Sequence, residues 1–324
     1  MSSRFDNFEE KREEKIRKAF KERDWNEIKS ADSWAIFKVI AEFVEGFEKL
    51  SKIGPCVSVF GSARTPSDNP HYIMAEEISA KLVRHGYGVI TGGGPGIMEA
   101  GMSGAGREMS IGVSIRLPFE TSANEVIAGD EKYVAMRYFF TRKLMLVKES
   151  QAFICVPGGF GTLDEMFELL TLSQTGKGNP VPIVVLDLPN DPFWSELDSF
   201  IKKTLLPRKL VSEQDLALYR ICSSVDEAVS EIDKFYSVYN SMRFVGKRLV
   251  LRLNRQISDV HLSKLNNDFS DICLNSSIER VTATKAEIDD KDLPDKPRLA
   301  FQFARRDFGR LRQLIDAINA VEPV

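Results

Sequence analysis

Apolar residues recur with two different periods along this chain. In the first segment they stand at positions 34, 36, 37, 40, 43, 44, 47 and 50, which is the spacing of one face of a helix. From residue 56 onward, short apolar runs of strand length alternate with stretches of helical periodicity. The first pattern predicts a helix that packs on a larger body or on a second subunit. The second predicts an α/β core.

The apolar runs from residue 56 predict six core strands, within 56–63, 87–91, 109–117, 152–159, 181–187 and 218–224. Helix-like segments at 70–85, 97–105, 141–150, 162–175, 192–204 and 225–238 lie between or after them. Strands that alternate with helices are typical of a parallel sheet covered on both faces. We therefore predict a Rossmann-like, doubly wound α/β fold, in which ligands bind at the carboxyl ends of the strands near the switch in strand order.

The pattern divides the chain into a helical N-terminal extension (1–50), the Rossmann-like domain (51–240) and a small α+β C-terminal domain (241–324). The extension is rich in charge over residues 8–28, which is typical of a solvated helix. "NSMRFVG" (240–246) is predicted to be a linker. The C-terminal pattern predicts an exposed loop at 289–297, strands at 248–253, 278–284 and 298–304, and helices at 258–271 and 307–320.

Composition narrows the functional classes. The 44 basic and 47 acidic residues leave a net charge of −3, which gives no electrostatic signature of a nucleic-acid partner or of a membrane surface. The charged N-terminus has no apolar signal core, and no stretch reaches the length of a membrane span. Four scattered cysteines, without a CxxC pair, predict buried thiols of a reducing, cytoplasmic compartment. With three isolated histidines they give no metal-ligand set.

Two glycine-rich turns, "TGGGPG" (91–96) and "PGGFGT" (157–162), each follow a predicted strand and lead into a predicted helix. Glycine lets backbone amides approach an anion closely, and the helix start adds the positive end of a dipole. Neither turn is a P-loop. The dinucleotide fingerprint also fails, because no third glycine follows Gly94 and Gly96 and Arg116 stands where an acidic residue is needed. Two such turns can bracket a mononucleotide.

Glu165 has two interpretations. Thr162 and Glu165 form a T-x-x-E pattern that is typical of a helix-capping box, and Ser224 with Glu227 repeats this pattern without a glycine turn. Alternatively, three residues of helix advance about 4.5 Å, which is enough to carry a carboxylate from a bound 5′-phosphate to its ribose. The helix dipole would favour the ionised form of Glu165, suited to a base or a cation stabiliser.

Arg142 and Lys143 stand at the start of the preceding predicted helix. They could form a solvated cationic pair. However, cations are unfavourable at a helix start, which makes a functional role, such as neutralising a phosphate, more plausible.

The motifs resemble those of the LOG family, named after the plant "lonely guy" cytokinin-activating enzymes, many of whose members carry the label lysine decarboxylase. The likeness covers roughly residues 34–240 and is closest to longer bacterial members with "FFxRK". The C-terminal domain lies outside it. The matching stretches are "VFGSART" (59–65), "TGGGPGIMEA" (91–100), Arg-Lys at 142–143 and "PGGFGTLDE" (157–165), the last being the family's PGGxGTxxE signature.

The resemblance implies a nucleotide-binding catalytic domain at 51–240 that acts as a phosphoribohydrolase. It would cleave AMP or an N6-modified AMP (a cytokinin nucleotide) to a free base and ribose 5-phosphate, without a metal or cofactor, as a homodimer with sites near the interface. Arg142 and Glu165 would be catalytic. The nucleotide would contact Gly61, Ser62, Gly92, Gly93, Gly94, Met98, Lys143, Gly158, Gly159, Gly161 and Thr162. The alternative is a carrier or sensor that binds a nucleotide or cofactor, such as molybdenum cofactor, without turnover.

Overall fold

A computed structural model describes residues 11, 13–14, 25–51, 53–116, 123–275 and 277–320. The chain divides into two compact units, Met1–Glu48 and Lys49–Val324. Helix α1 (Trp25–Leu50) confirms the helix predicted from the apolar stripe, and it begins nine residues earlier. Most of the charged segment predicted to be helical over 8–28 lies outside the described residues. Trp34, Phe37 and Val44 are exposed on α1, so the packing predicted for this stripe stays a prediction.

The large unit is built around a seven-stranded parallel sheet in the order β4-β3-β2-β1-β5-β6-β7. This confirms the Rossmann-like fold class. The order reverses between β1 and β5, the switch point at which such sheets bind ligands. The strands are β1 (Cys56–Phe60), β2 (Gly88–Thr91), β3 (Ser110–Ile115), β4 (Tyr133–Met136), β5 (Ala152–Cys155), β6 (Ile183–Leu186) and β7 (Arg220–Cys222).

Helices cover this sheet because its central strands carry apolar side chains on both faces. Every residue of β1, β2, β5 and β6 is buried. The core of β1, β5 and β6 is continuous with apolar residues of α2, α3 and α7. The helices are α2 (Pro70–Arg84), α3 (Ile97–Ala105), α4 (Phe139–Glu149), α5 (Phe160–Gln174), α6 (Phe193–Phe200) and α7 (Val225–Phe235).

Short helical turns extend these elements. A single π-helical turn, Ile201–Leu205, follows α6 directly and completes the segment predicted to be helical over 192–204. The 3-10 turns are Arg107–Met109, Leu206–Arg208, Gln214–Leu218 and, in the C-terminal region, Ser270–Ile272.

A second, antiparallel sheet follows in the order β10-β11-β9-β8. Its strands are β8 (Tyr239–Val245), β9 (Arg248–Leu253), β10 (Glu279–Val281) and β11 (Arg298–Phe301), and its helices are α8 (Asp259–Asp268), α9 (Lys285–Asp289) and α10 (Phe308–Asn319). The α+β character of this region is confirmed. The linker predicted at 240–246 is wrong, because that stretch is β8: Met242 and Phe244 pack on the core while Ser241 and Arg243 point away.

The structure also bears on the state of the cysteines and on the search for a membrane-spanning helix. All four cysteines are free thiols, and Cys56, Cys155 and Cys222 are buried, as predicted. Among the described residues, no helix is long and apolar enough to cross a membrane.

Candidate active site

A cavity of about 1070 Å³ opens at the carboxyl ends of the central strands, beside the switch between β1 and β5. Three turns border it, and they follow β1 at Gly61–Ser62, β2 at Gly92–Gly94 and β5 at Gly158–Thr162. The chain therefore brings both glycine turns predicted from the sequence to one cavity.

Ser62 ties the two glycine turns together through its backbone. Its N–H donates to the carbonyl of Pro157 at 3.3 Å, and its carbonyl accepts from the N–H of Ile97 at 3.0 Å. The packing around this link requires glycine at 158, since a Cβ there would lie 2.2 Å from Thr162 Oγ1 and 2.9 Å from the Ser62 nitrogen. The turn after β5 can approach the turn after β1 only because this side chain is missing.

Both helices that leave the glycine turns start without a side-chain cap. The N-cap of α3 is Gly96, at a φ of 66°, and the N-cap of α5 is Gly159. The first N–H groups of a helix have no partner within it, and they carry the positive end of the helix dipole. The first N–H of α3 donates to the Ser62 carbonyl, so the start of α5, whose first residues line the cavity, is the one suited to binding an anion.

The capping-box interpretation of Glu165 is wrong. Helix α5 begins at Phe160, two residues before the predicted start, so Thr162 is its third residue and not its cap. The same pattern does form a cap at α7, where Ser224 accepts from the N–H of Glu227. Glycine at the N-cap of α5 therefore leaves the carboxylate of Glu165 free of this capping role.

Glu165 faces Arg142 across the cavity wall. Arg142 Nη1 lies 3.4 Å from Glu165 Oε1, and Arg142 Nε donates to the carbonyl of Val113 at 3.0 Å. The side chains are 13% and 7% exposed, respectively. The Val113 carbonyl lies in β3 and fixes the guanidinium against the sheet, so the pair is held by three elements, β3, α4 and α5.

Burial raises the pKa of Glu165 above its ordinary value. The charges of Arg142 and Lys143 act in the opposite direction and the neighbouring carboxylates of Asp164 and Glu168 add to the rise, but burial is the largest effect. A position near the helix start predicts the ionised form, but the structure places the carboxyl deep enough that desolvation is the largest effect on its pKa.

Lys143 is the one predicted site residue that is not among those lining the cavity. Its Nζ lies 2.9 Å from Asp164 Oδ2 and 3.4 Å from Glu168 Oε2. The other predicted residues all line the cavity: Gly61, Ser62, Gly92, Gly93, Gly94, Met98, Arg142, Gly158, Gly159, Gly161, Thr162 and Glu165.

Several lining residues were not singled out as site residues from the sequence. Arg64 and Arg116 bring two further cations to the cavity, and Tyr133, Phe139 and Phe193 bring aromatic rings. Arg64 stands in "VFGSART", so that motif offered a signal for it. Phe139 stands in "FFxRK", which offered a signal for it, whereas Tyr133 and Phe193 come from β4 and α6 and lie outside the quoted motifs.

Asn124 secures the turn after β2. Its backbone N–H donates to the carbonyl of Gly93 at 2.8 Å, and its Nδ2 donates to the carbonyl of Gly94 at 3.0 Å. These bonds occupy the carbonyl side of the turn. No sequence motif predicts this contact, since Gly94 and Asn124 are 30 positions apart.

Comparisons with known sequences find one family profile and several relatives that share one name. A family profile described as "Possible lysine decarboxylase" matches residues 95–232. The cytokinin riboside 5′-monophosphate phosphoribohydrolase LOG1 of Arabidopsis thaliana is 33% identical over 137 residues, which are 40% of this chain and 61% of LOG1. A probable enzyme of the same name from Oryza sativa subsp. japonica, LOGL6, is 29% identical over 180 residues, 54% of this chain and 69% of LOGL6. The chain thus spans about three fifths to seven tenths of these two relatives.

Solved structures also resemble this chain. The molybdenum cofactor carrier protein of Chlamydomonas reinhardtii matches with a TM-score of 0.40 and 21% identity, over 56% of this chain and 98% of the carrier. The DNA processing protein A of Streptococcus pneumoniae matches with a TM-score of 0.39 and 13% identity, over 57% of this chain and 63% of that protein.

Proposed function

Because this chain belongs to the LOG family, we propose that it is a phosphoribohydrolase that hydrolyses the N-glycosidic bond of a nucleoside 5′-monophosphate. The products are a free base and ribose 5-phosphate. The observation that carries the proposal is the ion pair of Arg142 and the buried Glu165, 3.4 Å apart on the wall of a cavity that the uncapped start of α5 also borders.

The anion-binding side of the cavity receives the 5′-phosphate. The residues at the start of α5, Gly159, Phe160 and Gly161, line the edge of the cavity that the glycine turn forms. Helix starts favour phosphate through both hydrogen bonds and the dipole. The exposed Arg64 and Arg116 supply further positive charge to the same cavity.

Glu165 acts at the sugar. Cleavage passes through an oxocarbenium-like state, in which positive charge develops at C1′ and the adjacent ring oxygen. An ionised Glu165 stabilises that charge and accepts a proton from the attacking water. The water oxygen bonds to C1′, while the bond from C1′ to the base nitrogen breaks and leaves its electron pair on the base, which takes up a proton.

Arg142 keeps Glu165 ionised and in place. A guanidinium 3.4 Å from the carboxylate opposes the rise in its pKa that burial causes. Arg142 also lines the cavity, where its guanidinium can contact the phosphate or the leaving base.

A lysine decarboxylase activity does not fit this cavity. Such enzymes hold pyridoxal phosphate on a lysine as a Schiff base. Among the described residues that line the cavity, none is a lysine. The nearest candidate in the motif, Lys143, is paired with two carboxylates instead.

The substrate is AMP or an N6-modified AMP. Relatives of this chain are named for cytokinin riboside 5′-monophosphates, which are N6-modified adenine nucleotides. The aromatic rings of Tyr133, Phe139 and Phe193 give the cavity surfaces on which a flat base can stack.

The enzyme acts as a homodimer. Helices α4 and α5 expose a group of apolar side chains beside the cavity: Phe139, Phe140, Leu144, Phe160 and Phe167. Phe160 is 93% exposed in the chain alone. Apolar groups of this kind mark interaction surfaces, and a second copy placed here would bring the interface to the edge of the site.

The decisive test is incubation of the purified protein with AMP and with N6-isopentenyl-AMP, without added metal, followed by chromatography of the free base. Release of adenine or of the modified base, with ribose 5-phosphate in equal amount, is the expected result. Binding of both nucleotides without any release would contradict the hydrolase and favour the carrier or sensor.

A further inference from the structure

Two neighbouring residues of α4 pair with α5 in different directions. Arg142 reaches Glu165 at the cavity, with 3.4 Å between Nη1 and Oε1. Lys143 reaches Asp164 at 2.9 Å and Glu168 at 3.4 Å. Asp164 and Glu168 are one helical turn apart and so lie on the same side of α5. Two adjacent ionic contacts therefore join α4 to α5, one on the cavity wall and one beside it.

Burial distinguishes the second contact from an ordinary surface ion pair. The side chain of Lys143 is 15% exposed, whereas those of Asp164 and Glu168 are 58% and 42% exposed. A cation withdrawn from water needs partners, and two carboxylates supply them. Burial by itself lowers the pKa of Lys143, but the charges of Asp164, Glu165 and Glu168 outweigh it and raise the pKa, so the side chain stays cationic.

We propose that Lys143 is a positioning residue, which holds α4 against α5 so that Arg142 and Glu165 face each other, and that it is not a ligand of the phosphate. This inference rests on the proposed hydrolase function of the same cavity. It revises the phosphate-binding role that the sequence suggested for Lys143. Its Nζ contacts the carboxylates of Asp164 and Glu168, and the side chain does not line the cavity.

The position of Lys143 also sets the charge around the catalytic carboxylate. The charged or titratable groups that face Glu165 come from three elements: Arg142 and Lys143 on α4, Asp164 and Glu168 on α5 itself, and the thiol of Cys155 on β5. Burial raises the pKa of Glu165, the two cations lower it, and the two neighbouring carboxylates raise it. Without Lys143, only Arg142 would oppose the effect of Asp164 and Glu168 on the pKa of Glu165.

The test is the pH dependence of kcat/KM for AMP in Lys143→Met, with Lys148→Met as the matched control. Lys148 stands on the same helix and pairs with Glu149 at the surface. Lys143→Met should move the acid limb to higher pH, because the pKa of Glu165 rises, while Lys148→Met leaves it in place. Lys143→Arg should restore the wild-type limb, since a guanidinium can bind both carboxylates.

The double variant Asp164→Asn/Glu168→Gln provides a change of opposite sign. It removes the two charges that raise the pKa of Glu165, so the acid limb should move to lower pH. Adding the same two changes to Lys143→Met should bring the limb back toward the wild type. A merely structural role of Lys143 would lower activity at every pH without these opposite shifts.

Two results would overturn the inference. If Lys143→Met raised the KM for AMP and the inhibition constant of ribose 5-phosphate with the acid limb unmoved, Lys143 would be a phosphate ligand. An equal loss of activity at all pH values would also refute it. Titration of the Glu165 carboxyl by ¹³C NMR, in the wild type and in Lys143→Arg and the carboxamide variants, needs no turnover. This titration tests the positioning role of Lys143 even if the wild type releases no base. Absence of base release would count against the hydrolase function alone.

Discussion

Gly158 is the glycine whose replacement should disturb the turn after β5 most. A Cβ at this position lies 2.2 Å from Thr162 Oγ1 and 2.9 Å from the backbone nitrogen of Ser62. Thr162 is buried in the first turn of α5, and the Ser62 N–H is bonded to the carbonyl of Pro157. Neither atom can withdraw freely, so Gly158→Ala must push the turn after β5 away from the turn after β1.

The expected loss of stability follows from the overlap of the added Cβ with Thr162 and Ser62. Overpacking a close contact destabilises a protein by about 1–3 kcal/mol, and we expect the free energy of unfolding of Gly158→Ala to fall by that amount. The displaced turn also carries the first N–H groups of α5. A loss of about 1.4 kcal/mol in their contacts to a phosphate would weaken the affinity for ribose 5-phosphate tenfold.

Urea denaturation and calorimetric titration with ribose 5-phosphate measure the two effects. Gly161→Ala is the matched stability control, because a Cβ at 161 meets nothing within 4 Å. Position 161 lies inside α5, where alanine is favoured over glycine by about 0.5–1 kcal/mol. Equal unfolding free energies for Gly158→Ala and the wild type, or an equal loss in both variants, would refute the reasoning.

Three further predictions follow from the charges and the surface. Glu165 must be ionised to act, and burial raises its pKa. The value of kcat/KM should therefore be full above that pKa and fall as the pH drops through it, at a pH above the ordinary carboxyl value of 4.5. An acid limb at or below 4.5 would count against this prediction. Glu287→Ala leaves the buried Arg298 without its carboxylate and should lower the free energy of unfolding, measured by urea denaturation, by about 3–5 kcal/mol. As a control, Glu279→Gln at an exposed ion pair should change this free energy by less than about 1 kcal/mol. Phe140→Glu should yield a monomer in light scattering, and a wild type that is itself monomeric would contradict the dimer.

Much of the fold could be predicted from the sequence because the central strands are buried on both faces. The run 183–186 is apolar throughout, and the run 56–60 is apolar except for the buried Ser58. Strands with a polar face were harder. In β8, polar and apolar residues alternate at Ser241, Met242, Arg243 and Phe244. This period-2 pattern is that of a strand, but the composition of the stretch is also typical of a loop. β4 was not predicted, since it is a four-residue strand at the edge of the sheet.

The candidate site was predictable where the residues lie in one motif. The glycine turns and the pair of Arg142 and Glu165 meet at one cavity, as their motifs suggested. The role of Lys143 was not predictable, because adjacent residues on a helix point in different directions and only the packing of α4 on α5 shows which one faces the cavity. The T-x-x-E pattern was also ambiguous, since its meaning depends on the residue at which the helix begins.

We propose that Glu165 takes part in the chemistry, whereas Glu227, which holds the same place in the matching pattern Ser224–Glu227, stabilises a helix start. Single-turnover release of base from AMP, measured in Glu165→Gln and in Glu227→Gln, compares the two directly, with nucleotide binding measured in parallel. We expect Glu165→Gln to bind AMP but to release base about a hundredfold more slowly or not at all, while Glu227→Gln keeps the wild-type rate. Release at the wild-type rate by Glu165→Gln would contradict a chemical role of Glu165.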